Sequence, residues 1–194
     1  MNLLGSDALR EERLAFLATI ESLSDDEFET GRTLCAGWAP HDVLAHLIGT
    51  ADLANYLRHG LRVNAVNAIA VTQGRQQTRA ELTARGRAWA SRPTLAHRLG
   101  AWGLIGDVSV HHQDVLRGLG RTRRVPVHVA AAIFREGVLL STGTSRNLLR
   151  HRVEPTTRGG RALGRGGHVR GSAEVLGLWL AGRQGLDEEL EFES

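Results

Sequence analysis

Residues 102–118 read WGLIGDVSVHHQDVLRG. The stretch contains no proline and is closed by Gly118 and Gly120, the punctuation of a single helix. Asp107 and His111 stand four apart, so on that helix they share a face, one turn from each other. His112 and Asp114 follow directly. Upstream, residues 34–60 read LCAGWAPHDVLAHLIGTADLANYLRHG and predict a second long helix. Pro40 sits where a first-turn proline belongs, Asp42 is a favourable first-turn charge, and Gly60 is a stop. Val43, Leu44, Leu47, Ile48, Leu53 and Leu57 supply its apolar face, with His46 embedded among them.

The neighbouring segments follow the same pattern. Residues 6–23 place Leu9, Leu14, Phe16, Leu17, Ile20 and Leu23 largely on one stripe, with Ser6 or Asp7 available as a cap. Ser24 and Asp25 restart a short turn, DDEFET, ending at Gly31. Residues 61–72 show no clean period, and a polar helix over 74–91 must end before Pro93. Pro126 opens a further helix through Leu140. The class is mainly α, a helical bundle with antiparallel neighbours. After about residue 143 the composition turns to Gly and Arg, which divides the chain into a bundle over 1–142 and a short α+β extension over 143–194. In the extension, His151–Glu154 reads as an edge strand. SAEVLGLWLAGR reads as a helix capped by Ser172 and stopped by Gly182, and LDEELEFES as a solvated acidic tail.

Composition removes several classes of function. At 194 residues with 42% hydrophobic and 23% charged, the chain can bury a core. One cysteine, Cys35, excludes a disulfide framework and a self-contained cysteine-rich zinc site. No run approaches the ~20 apolar residues of a membrane helix. The opening MNLLGSDALREER is too acidic for a signal peptide, so the expected compartment is the cytoplasm. Net charge is only +3, and every one of the 24 basic residues is arginine. The RGG pieces at 158–160 and 165–167 lack interleaved aromatics, so no nucleic-acid partner is expected.

Two imidazoles and a carboxylate from two helices would leave one position open on a bound ion, as catalytic zinc requires. Spacing alone equally permits a surface ion pair and an ordinary packed histidine. Three motifs carry the argument further. They are Cys35-Ala36-Gly37-Trp38 leading into Asp42 to His46, then Asp107 through Asp114 to Gly120, and finally VRGSAEVLGLWLAGR from Val169 to Arg183. In this order they resemble the DinB-like superfamily, in particular its mycothiol-dependent maleylpyruvate isomerase (metal-binding domain) branch.

The resemblance implies a DinB-like up-and-down four-helix bundle holding a divalent metal, zinc being the usual ion, on His46, Asp107 and His111. It implies mycothiol as thiol cosubstrate, a small-molecule electrophile as substrate, and a metal-bound thiolate as the attacking group in an isomerase or S-transferase. Arg183 matches the C-terminal arginine that contributes to activity in that branch; as a helix-terminal arginine it equally complements the dipole. His112 is expected to point elsewhere in a structural role. Asp114 either orients a ligand imidazole or pairs with Arg117. Cys35 is expected to be a small buried residue, not a nucleophile. Two departures stand out: Asp107 replaces the family's usual Glu, and the C-terminal part is short. They keep a second reading open, a non-catalytic metal-binding DinB-like protein in stress response or as a binding module.

Overall fold

The structure is a computed structural model that describes residues 5–51, 63–91, 97, 100–157 and 160–193. In chain order the helices are α1 (Ser6–Glu21), α2 (Asp25–Thr30), α3 (Pro40–Thr50), α4 (Val63–Gly74), α5 (Arg79–Ser91), α6 (Ala101–Gly118), α7 (Val127–Ser141) and α8 (Asn147–Arg150). Then come β1 (His151–Pro155), β2 (Leu163–Gly164), β3 (Gly167–Gly171), α9 (Ala173–Leu180), a 3-10 turn (Asp187–Glu189) and β4 (Glu191–Glu193). The expected mainly helical class with a small C-terminal sheet is what forms. The chain clusters into two units, Met1–Leu104 with His111–Thr122, and Ile105–Val110 with Arg123–Ser194; α6 runs unbroken through both.

In the first unit, Leu9, Phe16, Leu17 and Ile20 of α1 and Val43, Leu44 and Leu47 of α3 are buried with Leu82 and Trp89 of α5. α3 and α4 lie against each other through Gly49, which faces Ala70, and Gly74, which faces Ala45. A Cβ at either glycine would overlap the facing alanine, so this approach needs both. Several local expectations change. The cap of α1 is Gly5 in the left-handed region, not Ser6 or Asp7; Ser6 is already inside the helix and buried. DDEFET is a six-residue helix, because Ser24 and Glu27 close a reciprocal capping box. The unassigned stretch after residue 62 is helical as α4, and the helix expected from 74 begins at Arg79. The expected run of α3 to Gly60, with Leu53 and Leu57, lies outside the described residues, as does the boundary at Pro93.

In the second unit α9 packs against α7 and against β1 and β3 of a four-stranded sheet of order β2-β1-β3-β4. Val110, Val129, Ile133, Val153, Val169, Leu176, Leu178 and Leu180 form its core. α7 and α9 cross at Gly137 and Gly177, where each glycine faces the other helix's backbone. β1 is an interior strand, parallel to β3 and antiparallel to β2, not the edge strand expected. The acidic residues of the tail are exposed, as expected, but the segment is tied to the fold. β4 pairs with β3, while Leu186 and Leu190 are buried in the core. Two apolar residues spaced across a 3-10 turn outweigh the surrounding acidic residues, which stay on the outside.

Candidate metal centre

The site is assembled from a turn, α3 and α6. The turn is Cys35–Trp38, closed by the Trp38 N–H donating to the Cys35 carbonyl at 3.1 Å. Gly37 has φ +77°, the value a type II turn needs at its third position, which explains Gly within Cys-x-Gly-Trp. The Thr33 hydroxyl donates to the Trp38 carbonyl at 2.8 Å and accepts from the Cys35 N–H at 3.1 Å. The Leu34 N–H donates to the Asp114 carbonyl at 3.0 Å, which ties the turn to the backbone of α6. Gly118 leaves room for the Arg32–Thr33 backbone on the same helix.

His46 and His111 are both buried, and their rings meet edge to face with centroids 4.7 Å apart. Trp38 covers the pair, 5.0 Å from His46 and stacked at 6.0 Å on His111. Asp107 precedes His111 by one turn of the same helix. One ligand atom from each of His46, Asp107 and His111 lies within 4.8 Å of the others. The three residues named from the sequence are therefore brought together, Asp107 among them. Two nitrogens and a carboxylate oxygen at this separation suit a divalent ion of the zinc type.

Asp114 is fully buried and places Oδ2 2.9 Å from His111 Nδ1. Of its two expected roles, the structure shows the contact with the imidazole. Cys35 is half-buried, not buried as expected, and its thiol donates to Asp114 Oδ2 at 3.0 Å. The separation of 79 residues hides this contact from the sequence; only the position of Cys35 beside a His-bearing helix hinted at it. His112 turns away, as expected. Its Nδ1 lies 2.9 Å from Glu12 Oε1 and its Nε2 2.9 Å from the Thr19 hydroxyl, all in the core of the first unit.

A second pair was also missed. Asp42 accepts from Arg75 Nε and Nη2, both at 2.8 Å, and from the Ala39 N–H at 3.2 Å. Burial would push the Asp42 carboxyl up, but the Arg75 fork and the Ala39 N–H outweigh it and hold the carboxyl below its usual range. Beside this pair, a cavity of about 640 Å³ is lined by Cys35, Trp38, Asp42 and Arg75, among others. Arg183 belongs to the second unit. It leaves α9 through Gly182, at φ +89°, donates Nη1 to the Ala181 carbonyl at 3.0 Å, and lines a cavity with Thr144, Asn147 and Trp179.

Two buried histidines and an aspartate gathered beside a glycine-tryptophan turn define the class: a mainly helical fold with a small C-terminal sheet and a candidate metal centre. Within it, residues 9–101 match the family described as the mycothiol maleylpyruvate isomerase N-terminal domain. The match takes in the Cys35–His46 motif and stops short of Asp107. Over the whole chain the fold is similar to a crystal structure of the mycothiol-dependent maleylpyruvate isomerase, solved as a histidine-to-alanine mutant. The TM-score is 0.68 and the identity 14%, covering 96% of this chain and 91% of that one. The short C-terminal part thus leaves little of the other chain without a counterpart. No curated protein matches in sequence. Among the described residues, no helix is long and apolar enough to cross a membrane.

Proposed function

We propose that the protein is a metal-dependent, mycothiol-dependent enzyme of the maleylpyruvate isomerase type, an isomerase or S-transferase acting on a small electrophile. His46, Asp107 and His111 are its ligands to a divalent ion, zinc being the ion expected. The observation that carries this reading is the convergence of two imidazoles and one carboxylate within 4.8 Å. A divalent ion there would supply the chemistry that a free thiol lacks, holding it as the nucleophilic thiolate at neutral pH.

The residues of the chain have separate tasks. His46 and His111 offer neutral nitrogens, and Asp107 offers the one formal charge. Trp38 shields the two rings and excludes water from that side. We assign the cavity lined by Cys35 and Trp38 to the thiol. Arg183 is the cation we assign to an acidic group on the substrate, supported by its match to the branch's closing motif. No protein nucleophile is required, which agrees with the Cys35 proton being engaged on Asp114.

The test is metal content per chain in the wild type and in His46→Ala, Asp107→Ala and His111→Ala, together with mycothiol-dependent turnover of maleylpyruvate. Near-stoichiometric metal in the wild type and large losses in all three variants are expected. Wild-type protein that binds no divalent ion overturns the reading. Metal without turnover on this or any other electrophile reduces it to a binding protein.

A further inference from the structure

We infer that Cys35 and Asp114 are positioning residues that act through His111, with Asp114 accepting two hydrogen bonds so that the ring presents Nε2 to the metal centre. The inference rests on the metal reading above and adds the residues that aim one ligand. Three distances carry it. His111 Nδ1 is 2.9 Å from Asp114 Oδ2, the Cys35 sulfur is 3.0 Å from the same oxygen, and sulfur and Nδ1 are 3.5 Å apart.

One carboxylate oxygen therefore meets a thiol and an imidazole nitrogen at hydrogen-bond lengths. A thiolate and a carboxylate at 3.0 Å would repel, so the thiol keeps its proton and donates it. An imidazole nitrogen facing a carboxylate at 2.9 Å is likewise the protonated one, which fixes the tautomer and leaves the lone pair on Nε2. Asp114 is fully buried and sits one turn from His111 on a rigid helix, so the aim of the ring is set before any ion arrives.

The same cluster has a rival use. Sulfur, nitrogen and oxygen lie close enough together to ligate an ion themselves, with Cys35 as a direct ligand. The two uses differ in the proton count: direct ligation needs a bare thiolate and a bare Nδ1, whereas the positioning role needs both protonated. A cobalt-loaded protein separates them, because a sulfur ligand gives an intense thiolate-to-cobalt absorption band and a hydrogen-bonding thiol gives none.

The experiment compares wild type with Cys35→Ala, Cys35→Ser and Asp114→Ala, each checked for native circular dichroism. In metal-free protein, the ring-nitrogen spectrum of His111 is expected to show Nδ1 protonated in the wild type and a tautomer mixture in Asp114→Ala. Affinity for Co²⁺ is expected to fall about 10–100-fold in Asp114→Ala. A smaller fall is expected in Cys35→Ala, with recovery in Cys35→Ser, which keeps a donor. If Asp114→Ala does not fold, the Cys35 pair decides alone. Unchanged affinity in Cys35→Ala, or a cobalt–sulfur band that Cys35→Ser abolishes, overturns the inference. Should the wild type bind no metal, the tautomer measurement still tests the positioning role while the metal reading falls.

Discussion

His111 and His112 are neighbours in sequence, identical in chemistry and both buried, yet α6 sends them to opposite ends of the protein's work. His111 meets His46, Trp38 and Asp114. His112 meets Glu12, Thr19 and the edge of Phe16, with ring centroids 5.6 Å apart. Both ring nitrogens of His112 are thus engaged in the core, one at the Glu12 carboxylate and one at the Thr19 hydroxyl, which itself donates to the Ala15 carbonyl. Successive helical residues point about 100° apart. That rotation alone divides a candidate ligand from a histidine packed in the core, so the partner, and not the imidazole, distinguishes the two.

The contrast can be broken most sharply by exchanging the losses. His111→Ala should lower metal affinity by more than about 100-fold, with the fold retained, as read by metal titration. His112→Ala should keep the metal and lose stability instead. It removes the imidazole that meets the buried Glu12 carboxylate, at a cost of about 1–3 kcal/mol, as read by urea unfolding. If His112→Ala loses metal while remaining folded, the division between the two faces is wrong. Arg75→Ala should cost about 1–2 kcal/mol, because the buried Asp42 carboxylate keeps only its backbone partner. Metal affinity should barely move, which would place the Asp42–Arg75 clamp on the side of stability.

The smallest effect is in pH. Burial holds His97 below its ordinary value despite its bond to the Ala51 carbonyl, so the folded state favours the neutral ring. Its contribution is full above the ordinary histidine range near about 6.5 and is lost as pH falls through the lowered value. Asp42, also held low, contributes fully above about 3.9 and loses that contribution at still lower pH. Acid titration of the unfolding midpoint should therefore fall in two steps. His97→Gln should remove the upper step and Asp42→Asn the lower.

The helices were legible in the sequence because periodicity and caps are local, and the candidate ligands because their motifs resemble a known family. Asp107 and His111 stand one turn apart on one helix, and Pro40 announces the start of the helix that brings His46. The partners of those residues were not legible. Asp42 and Arg75 are 33 positions apart, Cys35 and Asp114 79, and Glu12 and His112 100, distances at which no local pattern survives. The anchoring of the tail was hidden for a related reason: its acidic residues are exposed as expected, but Leu186 and Leu190 are buried where β4 pairs with β3. Motif resemblance supplied the ligand set but not the network that aims it.

Trp38 lies within 6.0 Å of both candidate ligand rings and itself lines the cavity beside Asp42 and Arg75. The protein thus has a built-in optical probe at its most interesting point. With the other indoles replaced by phenylalanine, the emission of this one fluorophore would report any ion or small molecule that binds there, in real time and without any label.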